Sequence, residues 1–127
     1  MCKSKLHRVR VTEAHLDYMG SVSIDEELMR AADILPYEMV QITNMANATL
    51  WQTYAMPVSA GSGTIGLNGP PARLFQPGDE VVILSFAMCS DEEAKELKPR
   101  VVFVDERNHI LAVSEHEVAG PTLSVDG

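Results

Sequence analysis

The chain has little cysteine. Of its 127 residues only Cys2 and Cys89 carry thiols, and they form no CxxC pair and no metal-ligand spacing. A disulfide scaffold is excluded, no metal is expected, and reduced thiols in a cytoplasmic compartment are the expectation. Basic residues are also scarce. Ten Lys and Arg stand against 18 Asp and Glu, a net charge of -8. Phosphate binding requires clustered Lys and Arg, so nucleic acid and anionic membrane are excluded as main partners. The nearest basic group, Lys3, Lys5, His7, Arg8 and Arg10, reads equally well as a solvated strand edge or a functional patch. Long apolar runs are missing, and none approaches the roughly 20 residues that span a bilayer. Met1 to Lys5 leads straight into a polar alternating segment, so no signal peptide is expected. There is no internal repeat and no low-complexity tract.

What the chain does have is apolar content. At 46% hydrophobic and 127 residues it fits one domain, residues 1–127, with enough material for a core. Lys5 to Leu16 alternates with period two and is rich in β-branched residues, which predicts a strand. Residues 25–35 open with acids and repeat apolar residues at helical spacing. They predict a helix that buries Ile24, Leu28, Ala31, Ala32 and Leu35 and is closed by Pro36. Residues 38–45 and 49–56 predict a hairpin, with Trp51, Thr53 and Ala55 on one face and Leu50, Gln52 and Tyr54 on the other. Thr64 to Leu67 predicts a short strand. Asn68 is a candidate cap for a helix whose first turn holds Pro70 and Pro71, a junction able to hold an anionic group or to be a plain turn.

The run Val81 to Ala87 predicts a strand buried on both faces. A short helix at 91–97, strands at 100–105 and 110–113 and frayed last residues complete the chain. Many short strands with two or three short helices indicate a mainly β domain, a small β-barrel rather than a βαβ fold.

One dipeptide has chemical potential of its own. Gly20-Ser21 lies between an apolar-periodic segment and an acidic helix start. It reads as a turn, or as a self-cleaving peptide bond. A serine hydroxyl that follows a glycine carbonyl can attack it if the backbone is held bent, and glycine tolerates such geometry. The product is an ester. Elimination then frees the upstream carboxyl end and leaves dehydroalanine, which loses ammonia to become a pyruvoyl group.

The ordered motifs Lys5-Leu6-His7-Arg8, Tyr18-Met19-Gly20-Ser21 with Ile24-Asp25, Thr53-Tyr54-Ala55, Gly61-Ser62-Gly63, Ile65-Gly66-Leu67-Asn68-Gly69, Pro77-Gly78-Asp79 and Leu97-Lys98-Pro99 follow one another along the chain. From Lys5 to about Ile110 this series resembles the pyruvoyl-dependent aspartate decarboxylase family. The resemblance implies a double-psi β-barrel, a homotetramer with active sites between subunits, and cleavage between Gly20 and Ser21. Residues 1–20 would be the β chain and 21–127 the α chain, with the pyruvoyl group derived from Ser21. That carbonyl would form a Schiff base with the substrate amine and accept the electrons released with carbon dioxide. The product would be β-alanine for pantothenate synthesis.

The resemblance assigns roles to other residues. Tyr54 is the proton donor, since a phenol keeps its proton at neutral pH. Thr53 serves self-processing and substrate contact. Lys5 meets a substrate carboxylate, and the loop Asn68, Gly69, Pro70 and Pro71 holds the substrate. Two positions depart from the family pattern. Leu50 stands where an arginine clamps a carboxylate, and Pro70-Pro71 replaces alanines, which removes two backbone donors. These departures keep two other readings open: a pyruvoyl-dependent decarboxylase of a different amino acid, and an unprocessed barrel acting as an assembly or regulatory module.

Overall fold

The computed structural model describes residues 1–115. The expected fraying of the last residues falls outside them. Nine strands dominate: β1 (Cys2–Arg10), β2 (Glu13–His15), β3 (Ser21–Asp25), β4 (Met39–Asn44), β5 (Leu50–Val58), β6 (Ile65–Asn68), β7 (Glu80–Phe86), β8 (Arg100–Val104) and β9 (Ile110–Ser114). Two short helices, α1 (Glu26–Ala31) and α2 (Asp91–Glu96), and a 3₁₀ turn at Pro70–Arg73 complete the described elements. The expected mainly β architecture is found. The strands follow the order β2-β6-β3-β5-β4-β7-β1-β8-β9, consistent with a β-barrel although the pairing does not close into a ring. The pairs β1–β8, β2–β6 and β3–β5 are parallel and the others antiparallel. β1 lies in the interior of this order, hydrogen-bonded to β7 on one side and β8 on the other.

The core is a single cluster that includes Leu6, Val9, Val22, Ile24, Ile42, Leu67, Phe75 and Ile83, all fully buried. Each such side chain contributes about 1.5–3 kcal/mol relative to exposure. Asp25 caps α1, and its carboxylate accepts from the backbone N–H groups of Glu27 (2.8 Å), Gly61 (3.0 Å) and Gly63 (2.8 Å). This buried acid ties the end of β3 to the loop that leads into β6.

Several local expectations are corrected. The single strand expected from Lys5 to Leu16 is two strands, and its alternation breaks inside β1. Arg8 takes a left-handed φ of 54°, the register shifts between Leu6 and Val9, and the buried set passes from Ser4 and Leu6 to Val9 and Val11. A bulge of this kind inserts one residue and reverses the side-chain parity that follows it. Arg8 then reaches Glu80 with two hydrogen bonds, and this contact holds the Glu80 carboxyl below its ordinary range.

The helix over 25–35 stops at Ala31, and Asp33 turns left-handed at φ 54°. Leu35 is therefore exposed rather than buried, while Met29, absent from the expected face, is buried. β7 buries only Val81, Ile83 and Ser85, and its other face is half-buried or exposed. Asn68 is the last residue of β6 and caps nothing; Gly69 holds the cap position, without a side-chain bond. The hairpin is found with the expected faces, as β4 and β5. Among the described residues no helix is long and apolar enough to cross a membrane.

Candidate active site

β3 begins at Ser21, so the Gly20–Ser21 bond lies where an exposed turn enters a buried strand. Tyr18 and Met19 are exposed, whereas Ser21 is buried. Strand pairing explains the change. Ser21 faces Asn68 across the antiparallel β3–β6 ladder, and Val22 faces Ala55 across the parallel β3–β5 ladder. Paired residues project to the same side, and successive residues to opposite sides. Val22, Ala55 and Leu67 point into the core, while Ser21, Ser23 and Asn68 share the other face.

The Asn68 side chain occupies the space between the two serines. Its Nδ2 donates to Ser21 Oγ at 3.0 Å and to Ser23 Oγ at 2.9 Å, which spends both amide hydrogens. The Ser21 hydroxyl is thus held by an acceptor bond and keeps its own proton available for donation. Ser23 was not singled out from the sequence. Its spacing of two residues from Ser21 on a strand was the available signal.

Gly69 provides the other half of the cradle. It has φ 81° and ψ -145°, a region essentially restricted to glycine. A Cβ placed there would lie 2.9 Å from Gly20 Cα, 3.1 Å from Gly20 N and 3.4 Å from Tyr18 O. The main chain before the Gly20–Ser21 bond therefore rests directly on Gly69. Gly20 itself stays out of the left-handed region, and a Cβ added to it meets nothing nearer than 3.8 Å. Gly69, not Gly20, takes the positive φ at this junction. The carbonyl of His15 joins the two segments, accepting from Gly69 N at 2.9 Å and Tyr18 N at 3.3 Å. The His15 ring stacks on Tyr18 with centroids 4.3 Å apart, and its Nε2 lies 3.5 Å from Glu13 Oε1.

One step upstream of the Val22–Ala55 pair stand Ser21 on β3 and Tyr54 on β5. Alternation puts both on the same face, so the candidate nucleophile and the candidate proton donor are neighbours. Thr53 pairs with Val40 and takes the opposite face with Trp51. Pro70 and Pro71 open the 3₁₀ turn after Gly69, with Pro71 buried and Pro70 exposed. Lys5 is not brought to this group. It is half-buried on β1, four strand steps from β3 in the sheet order. Leu50, at the start of β5, is 54% exposed. A cavity of about 230 Å³ lies elsewhere, between β1 and β8, lined by His7, Arg8, Arg10, Glu80, Phe103 and Asp105, and none of the sequence-predicted site residues lines it. Among the described residues no three His, Cys, Asp or Glu side chains are grouped to hold a metal.

Comparison with known proteins identifies the family. A family model described as aspartate decarboxylase matches residues 1–111. The aspartate 1-decarboxylase of Carboxydothermus hydrogenoformans is 51% identical over 122 residues, 96% of this chain and 96% of the relative. That of Pelotomaculum thermopropionicum is 54% identical over 121 residues, 95% of this chain and 92% of the relative. That of Thermoanaerobacter pseudethanolicus is 55% identical over 108 residues, 85% and 92% of the two chains.

Proposed function

Because the chain belongs to the aspartate decarboxylase family, we infer that it is a carboxy-lyase that converts aspartate to β-alanine and carbon dioxide, the step that supplies pantothenate synthesis. The observation that carries the reading at residue level is the seating of Ser21: a buried hydroxyl held by Asn68, beside Tyr54, with the preceding main chain resting on Gly69.

We propose that the Gly20–Ser21 bond severs itself. The Ser21 oxygen attacks the Gly20 carbonyl carbon, the peptide C–N bond breaks, and the resulting ester eliminates to free the carboxyl end of residues 1–20. The dehydroalanine left at residue 21 tautomerises to an imine, which takes up water and releases ammonia, so that residues 21–127 begin with a pyruvoyl group. The cradle suits this group, since it is small, derives from the buried residue itself, and lies within reach of the Asn68 amide. A pyruvoyl carbonyl supplies the electron sink that loss of carbon dioxide from an amino acid requires. Every other role falls to ordinary side chains. Tyr54 holds a proton on the same face and returns it to the carbon that lost the carboxylate. Asn68 and Gly69 hold the substrate against the cradle, flanked by Pro70 and Pro71. Thr53 lies on the opposite face of β5, and its assigned part in processing requires a twist of the strand or a neighbouring copy.

Lys5 belongs to this reading as the carboxylate contact of a neighbouring subunit. Two observations support a homotetramer with shared sites. Lys5 lies on β1, four strands from β3 in the sheet order. In addition, the outer face of β4, β5 and β7 exposes Met39, Leu50 and Phe86, an apolar surface of the kind that subunits cover. The double-psi crossing and a cytoplasmic location belong to the same proposal.

The test is an intact mass spectrum under denaturing conditions, with carbon dioxide release measured across a panel of amino acids. Two chains split at Gly20–Ser21, and release from aspartate, are expected. A single full-length chain would instead support the unprocessed assembly module.

Tyr54→Phe is expected to mature normally and to lower kcat by roughly 10²-fold or more, the usual contribution of a positioned proton donor. Unchanged turnover in that variant would remove Tyr54 from its role. A different amino-acid substrate is the second reading, and exposed Leu50 favours it. Leu50→Arg adds a guanidinium whose pairing with a carboxylate is worth about 1.5–3 kcal/mol, so kcat/KM for aspartate should rise about tenfold or more. Absence of any gain would mean that the side-chain carboxylate is already held by another group.

A further inference from the structure

The turn that joins α1 to β4 carries a conformation that local chemistry does not favour. Tyr37 has φ 69°, and a bulky side chain in the left-handed region is a genuine outlier. Such a conformation persists only where its surroundings over-determine it. Here they do. Tyr37 N donates to Ala55 O at 2.8 Å, and Ala55 N returns a bond to Glu38 O at 2.9 Å. Glu38 N donates to Leu35 O at 3.1 Å, while Leu35 N donates to Glu38 Oε1 at 3.0 Å. The other carboxylate oxygen of Glu38 accepts from Lys3 Nζ at 2.9 Å, and the same ammonium also donates to the carbonyl of Asp33. A left-handed Asp33 and a left-handed Tyr37 are thus fastened to β5 and to the start of β1.

Burial within the chain does not account for the strain, because the Tyr37 side chain is 72% exposed there. Its main contact is one ring. Tyr37 and Tyr54 stack with centroids 5.7 Å apart and an interplanar angle of 26°. The two backbone bonds of the turn go to Ala55, the residue next to Tyr54. The whole device therefore bears on one side chain, on the face that Tyr54 shares with Ser21.

We propose that Tyr37 is a positioning residue for Tyr54: its ring lies against the Tyr54 ring and fixes the direction in which the phenol presents its proton. The inference rests on the reading of Tyr54 as proton donor. With the stack in place, one face of the Tyr54 ring is covered, and rotation about its χ angles is restricted by a neighbour that the backbone itself holds. Without the stack, the donor samples orientations from which no proton is delivered, so kcat falls while substrate affinity does not.

Strain and function here predict opposite signs. Asn tolerates the left-handed region, so Tyr37→Asn relieves the backbone and should leave Tm unchanged or raise it. The same substitution removes the stacked ring and should lower kcat roughly three- to tenfold, with KM for aspartate unchanged. Tyr37→Phe keeps the ring and should retain most of the wild-type kcat. The experiment measures kcat, KM, Tm and the fraction of cleaved chain for wild type, Tyr37→Asn, Tyr37→Phe and Tyr54→Phe, with rates normalised to cleaved protein. A slow Tyr37→Asn with undiminished Tm and an active Tyr37→Phe support the inference. Wild-type kcat in Tyr37→Asn beside a slow Tyr54→Phe overturns it, and so does a Tyr37→Phe as slow as Tyr37→Asn. Wild-type kcat in Tyr54→Phe overturns the reading beneath it, a separate outcome.

Discussion

Ser21→Ala is expected to remain one uncleaved chain and to release no carbon dioxide from aspartate. Under the proposed self-cleavage, the substitution removes the oxygen that would attack the Gly20 carbonyl and, with it, the source of the electron sink. The fold should survive. Asn68 Nδ2 loses one of its two acceptors but keeps Ser23 Oγ at 2.9 Å, so the cost is about 1 kcal/mol. Val22 and Ile24, fully buried, still anchor β3 in the core. Far-ultraviolet circular dichroism should therefore match wild type, while a denaturing mass spectrum shows a single species. A Ser21→Ala protein that still divides between residues 20 and 21 would mean that cleavage does not use this hydroxyl.

Gly69→Ala is expected to slow cleavage by about 10²-fold, the effect expected when reacting groups are displaced by roughly 1 Å. Its Cβ would lie 2.9 Å from Gly20 Cα and 3.1 Å from Gly20 N, both main-chain atoms with no flexible end to swing aside. The conformation at φ 81° and ψ -145° adds strain of about 1–3 kcal/mol for any side chain. Gly78→Ala is the control. Gly78 also has a positive φ, 95°, but a Cβ there meets nothing within 4 Å. It should lower stability modestly and leave the cleavage rate alone. A time course of intact mass after synthesis measures both. Equal rates in the two variants would remove Gly69 from the cradle.

Much of this arrangement is legible in the sequence because it is local. The alternation of Leu50 to Ala55 correctly separates Thr53 from Tyr54, since a strand has only two faces. The Gly20-Ser21 step is legible as a turn, whereas the strand Ser21–Asp25 that follows it is masked by the acidic helix start. What is not legible depends on positive φ or on contacts distant in sequence. Arg8 gives no local sign that it will bulge and invert the pattern behind it. Asn68 beside a proline pair resembles a helix cap, yet its amide is drawn to Ser21, 47 positions away. Gly69 is visible as a glycine, but its need to be one arises from Gly20. Leu35 has the correct helical spacing and is exposed because the helix ends early, at a turn set by Lys3 and Glu38. The apolar run of β7 implies cover on both faces, and a single chain supplies it on one. Tyr37 carries no signal at all, since nothing in Pro36-Tyr37-Glu38 announces a left-handed tyrosine.

The interior position of β1, between β7 and β8, bears on what scission does to the molecule. The piece that the proposed cut would set loose is not a peripheral tail. It contains a central strand together with β2, which stays zipped to β6. An enzyme cut at the proposed Gly20–Ser21 bond would thus be a tight two-chain complex. Its melting would then be a dissociation, its refolding would require two molecules to meet, and the intact precursor would be the species from which to fold.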